Sequence, residues 1–182
     1  MKTGVTSTFL VAVLTGSLLS SIATAQDAAD AATQSELIEA ARALMTEARF
    51  CSLVTLDSTG APQVRVMDPF APDDDMVVWL GTNRHSRKVS QIRRDPRVVL
   101  HYVSPSNTGY VTIHGQAEIV DDPDEKASRW KPEWESLYAD RDADYVLIKV
   151  IPESLQILDL SRGLAGDPVT WETPTVRFQE PY

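Results

Sequence analysis

The sequence predicts a mainly β (α+β) fold, an antiparallel barrel of six strands with a few peripheral helices. Three observations carry this expectation. Six segments between Phe50 and Leu160 alternate apolar with polar residues, or run apolar between turn signals. Stretches such as "DSTGAP" and "PSNTG" separate strand pairs at hairpin spacing. Helical periodicity is confined to one segment before the strands and to short stretches between them. A chain of 182 residues, 43% hydrophobic and 24% charged, is long enough for one domain with a sizeable core.

The chain opens with Lys2 and the apolar run "FLVAVLTGSLL", followed by "ATA" with Ala23 and Ala25 at small-residue positions. This is the pattern of a secretory signal cleaved after Ala25, which implies a periplasmic or secreted protein. The run is shorter than the ~20 residues that span a bilayer, so no stable membrane anchor is expected. No twin arginine and no lipid-accepting cysteine accompany it. The expected organisation is a signal peptide over 1–25, a flexible tail over 26–34, a domain over 35–160 and an irregular tail over 161–182.

Thr33 and Glu36 have capping-box spacing, and Leu37, Ile38, Ala41, Leu44, Met45 and Ala48 recur as one apolar helical face. "FCSLVTL" reads as the first strand and "QVRVMDPF" as its antiparallel partner. The charged turn "PDDD" leads to a third strand, "MVVWLGT". Ser86 is placed to cap a short helix running to about Arg93, and Asp95-Pro96 stops it. "RVVLHYVS" and "YVTIHGQAEIV" form the next hairpin, and "DDPDEKASRWKPEWESLYAD" reads as a helix interrupted at Pro132. The long last strand, "DYVLIKVIPESLQILDL", carries Pro152 as a bulge or edge marker.

The formal charge is -9, yet the fourteen positions from Arg84 to Arg97 hold six Lys and Arg and a single acid, Asp95. Outside that window 11 basic residues face 25 acidic ones, which excludes a general nucleic-acid or anionic-membrane binder. A local anion site remains. Cys51 is the only cysteine, so neither an intrachain disulfide nor a thiolate metal cluster can form, and its apolar strand predicts an inert thiol. His85, His101 and His114 lack metal-ligand spacing, so no metal site is expected.

Ser86, Arg87 and Lys88 open a helix directly after a strand. A helix N-terminus favours phosphate, and cations there are unfavourable until an anion neutralises them. Arg65 alternates with Val64 and Val66, so it points to the opposite face from that pair and can converge on the same anion.

Three blocks, "RFCSLVTLDSTGAPQVRVM", "VVWLGTNRHSRKVSQIRRDPRVVLHY" and "GYVTIHGQAEIVDDP", resemble the pyridoxamine 5′-phosphate oxidase-like flavin-binding split barrels, particularly the general stress protein 26 branch. The resemblance covers Ala48 to about Asp159 and makes the expected fold a six-stranded antiparallel split β-barrel. It implies FMN bound at a homodimer interface. By position, Arg65, Arg87 and Lys88 would hold the phosphate, and Ser86 or Thr82 would donate hydrogen bonds. Val66, Met67 and Gly81 would lie along the isoalloxazine and ribityl chain. Tyr110 corresponds to a flavin-contacting glutamine, and Trp171 is a substitute from the tail for a late-strand tryptophan whose place Leu158 takes.

The same resemblance marks departures. Phe70 stands where the vitamin B6 oxidases have a substrate-phosphate lysine, and their Tyr and Arg substrate motif and late Arg–x–His have no counterpart. This argues against pyridoxamine phosphate oxidase activity itself. The expected function is an exported flavin-dependent oxidoreductase of unknown substrate, with FAD or a deazaflavin as alternatives to FMN. A non-catalytic flavin or stress-ligand binder, or a haem-binding or haem-handling protein, are the other readings.

Overall fold

A computed structural model describes residues 33–178, and its main compact unit begins at Leu37. The expected signal peptide lies outside the described residues. Helix α1 runs over 33–48, so residues 33 and 34, expected in a flexible tail, are helical. Leu37, Ala41, Leu44 and Met45 bury its apolar face in the main core, at the spacing read from the sequence. Arg42 Nη1 donates to the Pro72 carbonyl at 2.6 Å and ties the helix to the loop beneath it. Among the described residues no helix is long and apolar enough to cross a membrane.

The sheet contains β1 (Cys51–Leu56), β2 (Pro62–Met67), β3 (Val78–Asn83), β4 (Arg97–Val103), β5 (Gly109–Val120) and β6 (Tyr145–Asp159). Their order is β2-β1-β4-β5-β6-β3, every pairing antiparallel. Pro69, just past β2, bridges to Leu80 of β3, and Phe70 N–H donates to the Trp79 carbonyl at 2.9 Å. The two ends of the six-strand path thus touch at one point, giving a curled split barrel. Helix α2 (Arg87–Arg94) packs on β1 and β5 and buries Val89 and Ile92.

Register decides which side chains face inward. Arg65, Leu53, Leu100, Ile113, Leu155 and Val176 are successive neighbours across the sheet. All but Arg65 are fully buried, so this row faces the core. The next row, Val66, Ser52, His101, Thr112 and Gln156, therefore faces outward. Val64 and Val66 are 65% and 71% exposed, while the arginine between them points in.

The tail expected to be irregular contributes a seventh strand, β7 (Thr175–Arg177), which pairs with Ser154–Gln156. Three residues are too few for periodicity to register, and the strand exists because Val176 finds a buried place beside Leu155. Opposite it, the β5–β6 register shifts: His114 pairs with Ser154 and Gly115 with Pro152, leaving Glu153 as the extra residue of a bulge. Pro152 thus marks a bulge, as its sequence position suggests. A Cβ on Gly115 would lie 2.2 Å from the Ile151 carbonyl oxygen. Gly115→Ala must push the two ladders apart, and it is expected to lower stability by about 1–3 kcal/mol in urea unfolding. An unchanged midpoint would mean that the bulge gives way freely.

The segment read as one interrupted helix is three short pieces: α3 (Pro123–Ser128), a 3-10 turn (Pro132–Leu137) and α4 (Arg141–Asp144). Asp122 and Asp140 each cap a new start, and the extended Lys131 before Pro132 prevents continuation. These pieces carry a second core of Trp79, Trp134, Tyr145 and Leu147, edged by Phe70, Trp130 and Tyr138. Arg129 lies 3.9 Å over the Trp79 ring and Arg141 4.3 Å over Trp130.

Candidate functional site

Arg65 enters the site from the inner face of β2. Its Nη1 donates to Thr55 Oγ1 at 2.7 Å and to the Leu53 carbonyl at 3.2 Å, and its Nη2 donates to Gln91 Oε1 at 3.0 Å. Thr55 Oγ1 also donates to Gln91 Oε1, at 2.6 Å. Both Thr55 and Gln91 are buried, so the guanidinium is clamped between β1 and α2 with part of its fork still free. Sequence reasoning missed these two clamps. No pattern marks them, because Gln91 lies 26 residues from Arg65 and meets it only through the fold.

Thr82 lies at the end of β3 and Ser86, Arg87 and Lys88 at the start of α2, with Arg87 and Lys88 near enough to Arg65 for their charges to interact. Burial first, and the nearby Arg87 charge second, hold Arg65 below the usual guanidinium range. Burial first, and the Arg65 charge second, lower the Lys88 ammonium. Each effect disfavours the charged form, and among the described residues none of the three cations has a carboxylate within ion-pair distance. Three of their neighbours in the basic stretch are spoken for. Arg84 pairs with Asp121 and Arg97 with Asp95, each at 2.6 Å, and Arg94 donates to the Leu56 carbonyl at 2.9 Å. Arg93 is exposed on the last turn of α2.

Ser86 occupies the N-cap position of α2 but its side chain makes no capping bond, contrary to the sequence expectation. Its Oγ instead lies 3.4 Å from Thr82 Oγ1, and Thr82 is buried. Two neighbouring hydroxyls, a helix start without a side-chain cap and three cations without a carboxylate partner thus belong to β2, the end of β3 and the first turn of α2. That donor set suits a phosphate.

Other expected site residues lie elsewhere in the chain. Gly81 faces the aromatic core, where a Cβ would meet Trp134 at 2.4 Å and Tyr145 at 2.7 Å. Met67 packs against the main core, whereas Val66 projects from the outer face. Tyr110 also stands on the outer face, its hydroxyl 3.0 Å from Thr173 Oγ1 and its ring 5.5 Å from that of His101. Trp171 is 84% exposed in the loop before β7. Within one chain, neither Tyr110 nor Trp171 joins the cations, which converge on the inner side of the sheet.

His101 Nδ1 lies 2.9 Å from Thr112 Oγ1, and burial lowers its pKa. Both His101 and His114 belong to the outer face. No group of three metal-ligating side chains occurs among the described residues. Cys51 is buried, and burial pushes its thiol up to about 12 although a hydrogen bond with Tyr102 opposes the rise, which accords with an inert cysteine.

A family model described as pyridoxamine 5′-phosphate oxidase matches residues 37–159. Among solved structures, general stress protein 26 from Bacillus anthracis is 24% identical over 78% of this chain and 98% of its own, with a TM-score of 0.62. A pyridoxamine 5′-phosphate oxidase-related, FMN binding protein from Nostoc punctiforme is 16% identical, covering 76% and 91%, with a TM-score of 0.52. An F420 reductase is 26% identical, covering 63% and 94%, also with a TM-score of 0.52. No protein of curated function matches the chain.

Proposed function

Since the chain belongs to the pyridoxamine 5′-phosphate oxidase family, we propose that it binds FMN and acts as a flavin-dependent oxidoreductase. The observation that carries this reading is the convergence of Arg65, Arg87 and Lys88 without a carboxylate. The flavin would supply the redox chemistry, and the chain would supply binding and orientation. Arg65, fixed by Thr55 and Gln91, and Lys88 neutralise the phosphate, with Ser86 and Thr82 as hydroxyl donors. Solved structures of similar fold named for FMN binding and for F420 reduction support a flavin-type cofactor.

Phe70 replaces the lysine expected of a pyridoxamine phosphate oxidase. The Lys131 ammonium lies 5.0 Å from the Phe70 ring but is paired with Asp68 at 2.8 Å and also donates to the Pro69 carbonyl at 2.8 Å. Lys131 is thereby engaged and Phe70 offers no charge to a second phosphate, which favours a different substrate.

The outward Val64 and Val66, with half-exposed Phe50 and Val103, form the apolar patch that supports a homodimer. Across such an interface a partner's Tyr110 or Trp171 reaches a flavin that its own cations do not hold. The leader over 1–25 supports export, with flavin acquired after transport. Protein recovered from the export compartment should show flavin absorption bands and run in light scattering at twice the mature mass. A Soret band, or a monomer that still binds FMN, would overturn the reading and the shared site respectively.

A further inference from the structure

Glutamine is mostly a surface residue, and a buried one needs partners for its amide. Gln91 is 7% exposed and follows Arg87 and Lys88 by about one helical turn, so it shares their face of α2. Thr55, on the inner side of β1, is fully buried. With Arg65 these two close a triangle in which every pair is bonded, at 2.6, 2.7 and 3.0 Å.

Donor chemistry fixes each direction in that triangle. A guanidinium only donates, so the Thr55 oxygen accepts from it and turns its own hydrogen toward Gln91. Gln91 therefore presents its oxygen, which takes a second bond from Arg65. The Leu53 carbonyl is a further acceptor on the guanidinium. Among the described residues, all three acceptors of Arg65 are neutral. A hydroxyl, an amide and a carbonyl hold the arginine in one orientation and leave its charge whole. A carboxylate of the same length would receive the same two bonds more strongly, but it would also neutralise the arginine. Arg65 thus stays charged within reach of the like charges of Arg87 and Lys88, where an arriving anion relieves the repulsion.

We propose that Gln91, backed by Thr55, is a positioning residue that makes the site select phosphorylated over unphosphorylated flavin, by aiming Arg65 at the phosphate without discharging it. This role rests on the flavin reading given above and assigns its specificity to a neutral side chain. Gln91 acts through Arg65 and needs no contact with the cofactor.

The test titrates FMN and riboflavin against the full chain by flavin fluorescence, with a urea midpoint recorded for each variant. Gln91→Glu is the closest match in shape, yet it should lose FMN affinity about ten- to a hundredfold, as if the arginine charge had been removed. Gln91→Leu breaks the aim but leaves the charge, so it should lose only about two- to tenfold. Riboflavin has no phosphate for Arg65 to meet and should bind both variants and the native chain alike. In an Arg65→Ala background, Gln91→Leu should cost no further FMN affinity, because its effect passes through the arginine. Thr55→Val should resemble Gln91→Leu, and it carries the test if a change at Gln91 unfolds the chain. A side chain that only packs predicts the reverse order, with Gln91→Glu milder than Gln91→Leu. That reverse order, additive losses in the Arg65→Ala background, or equal losses for the two flavins would overturn the positioning role and leave the flavin reading standing. A native chain that binds FMN no more tightly than riboflavin would overturn both.

Discussion

Lys88→Ala should lower FMN affinity roughly ten- to a hundredfold, the loss of one charge-assisted phosphate contact worth about 1.5–3 kcal/mol. The native site explains why the loss is that large. Lys88 is half-buried, lies beside the clamped Arg65 and has no carboxylate partner, so its charge is uncompensated until a phosphate arrives. Riboflavin lacks the phosphate, so it should bind the native protein much more weakly than FMN and be nearly indifferent to Lys88→Ala. Arg93→Ala removes the same charge from the exposed end of the same helix and should change FMN affinity little. Fluorescence titration of both flavins against both variants makes the comparison. Equal losses for the two variants, or equal native affinity for riboflavin and FMN, would reduce the cluster to a solvated helix face.

Trp134→Ala should cost about 3–5 kcal/mol of stability, read as a lower urea midpoint at unchanged slope. Trp134 is 8% exposed and packs edge-on against Phe70, with Trp130 and Tyr145 on other sides. Deleting it opens a cavity above Gly81 that three short helical pieces cannot collapse to fill. Gly81→Ala tests the same contact from below. Its Cβ collides with Trp134 in the native chain, so its cost should shrink in the Trp134→Ala background, though Tyr145 keeps it from vanishing. A loss under about 1 kcal/mol for Trp134→Ala would mean that the aromatic cluster is a surface lid rather than a core.

The strands, the helix after β3 and the placement of Arg65 opposite its two valines were legible locally. Each rests on period, on turn chemistry or on residues within one turn of one another. The same holds for the anion chemistry of Ser86-Arg87-Lys88, since a helix start and its charges are neighbours in the chain. Ser86 shows where that reading stops: its position as N-cap was visible, but its hydroxyl turns to Thr82 instead of capping.

Period-2 alternation states that Arg65 and Val66 oppose each other, but it is silent on which of them faces the core. Only the pairing of β2 with β1, and of β1 with β4, turns the arginine inward and leaves the valines outside, against the rule that apolar residues go in. The same long-range register brings Gln91 and Thr55 to Arg65 and gives Val176 a strand partner. Arg84 shows the division within one residue: its charge was countable, but the acid that neutralises it lies 37 positions away. Local sequence thus determined the elements and the kind of chemistry they offer, because propensity, alternation and capping act over a few residues. Tertiary structure decided which charges stay unpaired and which face they share, because burial and ion pairing depend on neighbours that only the folded chain brings together.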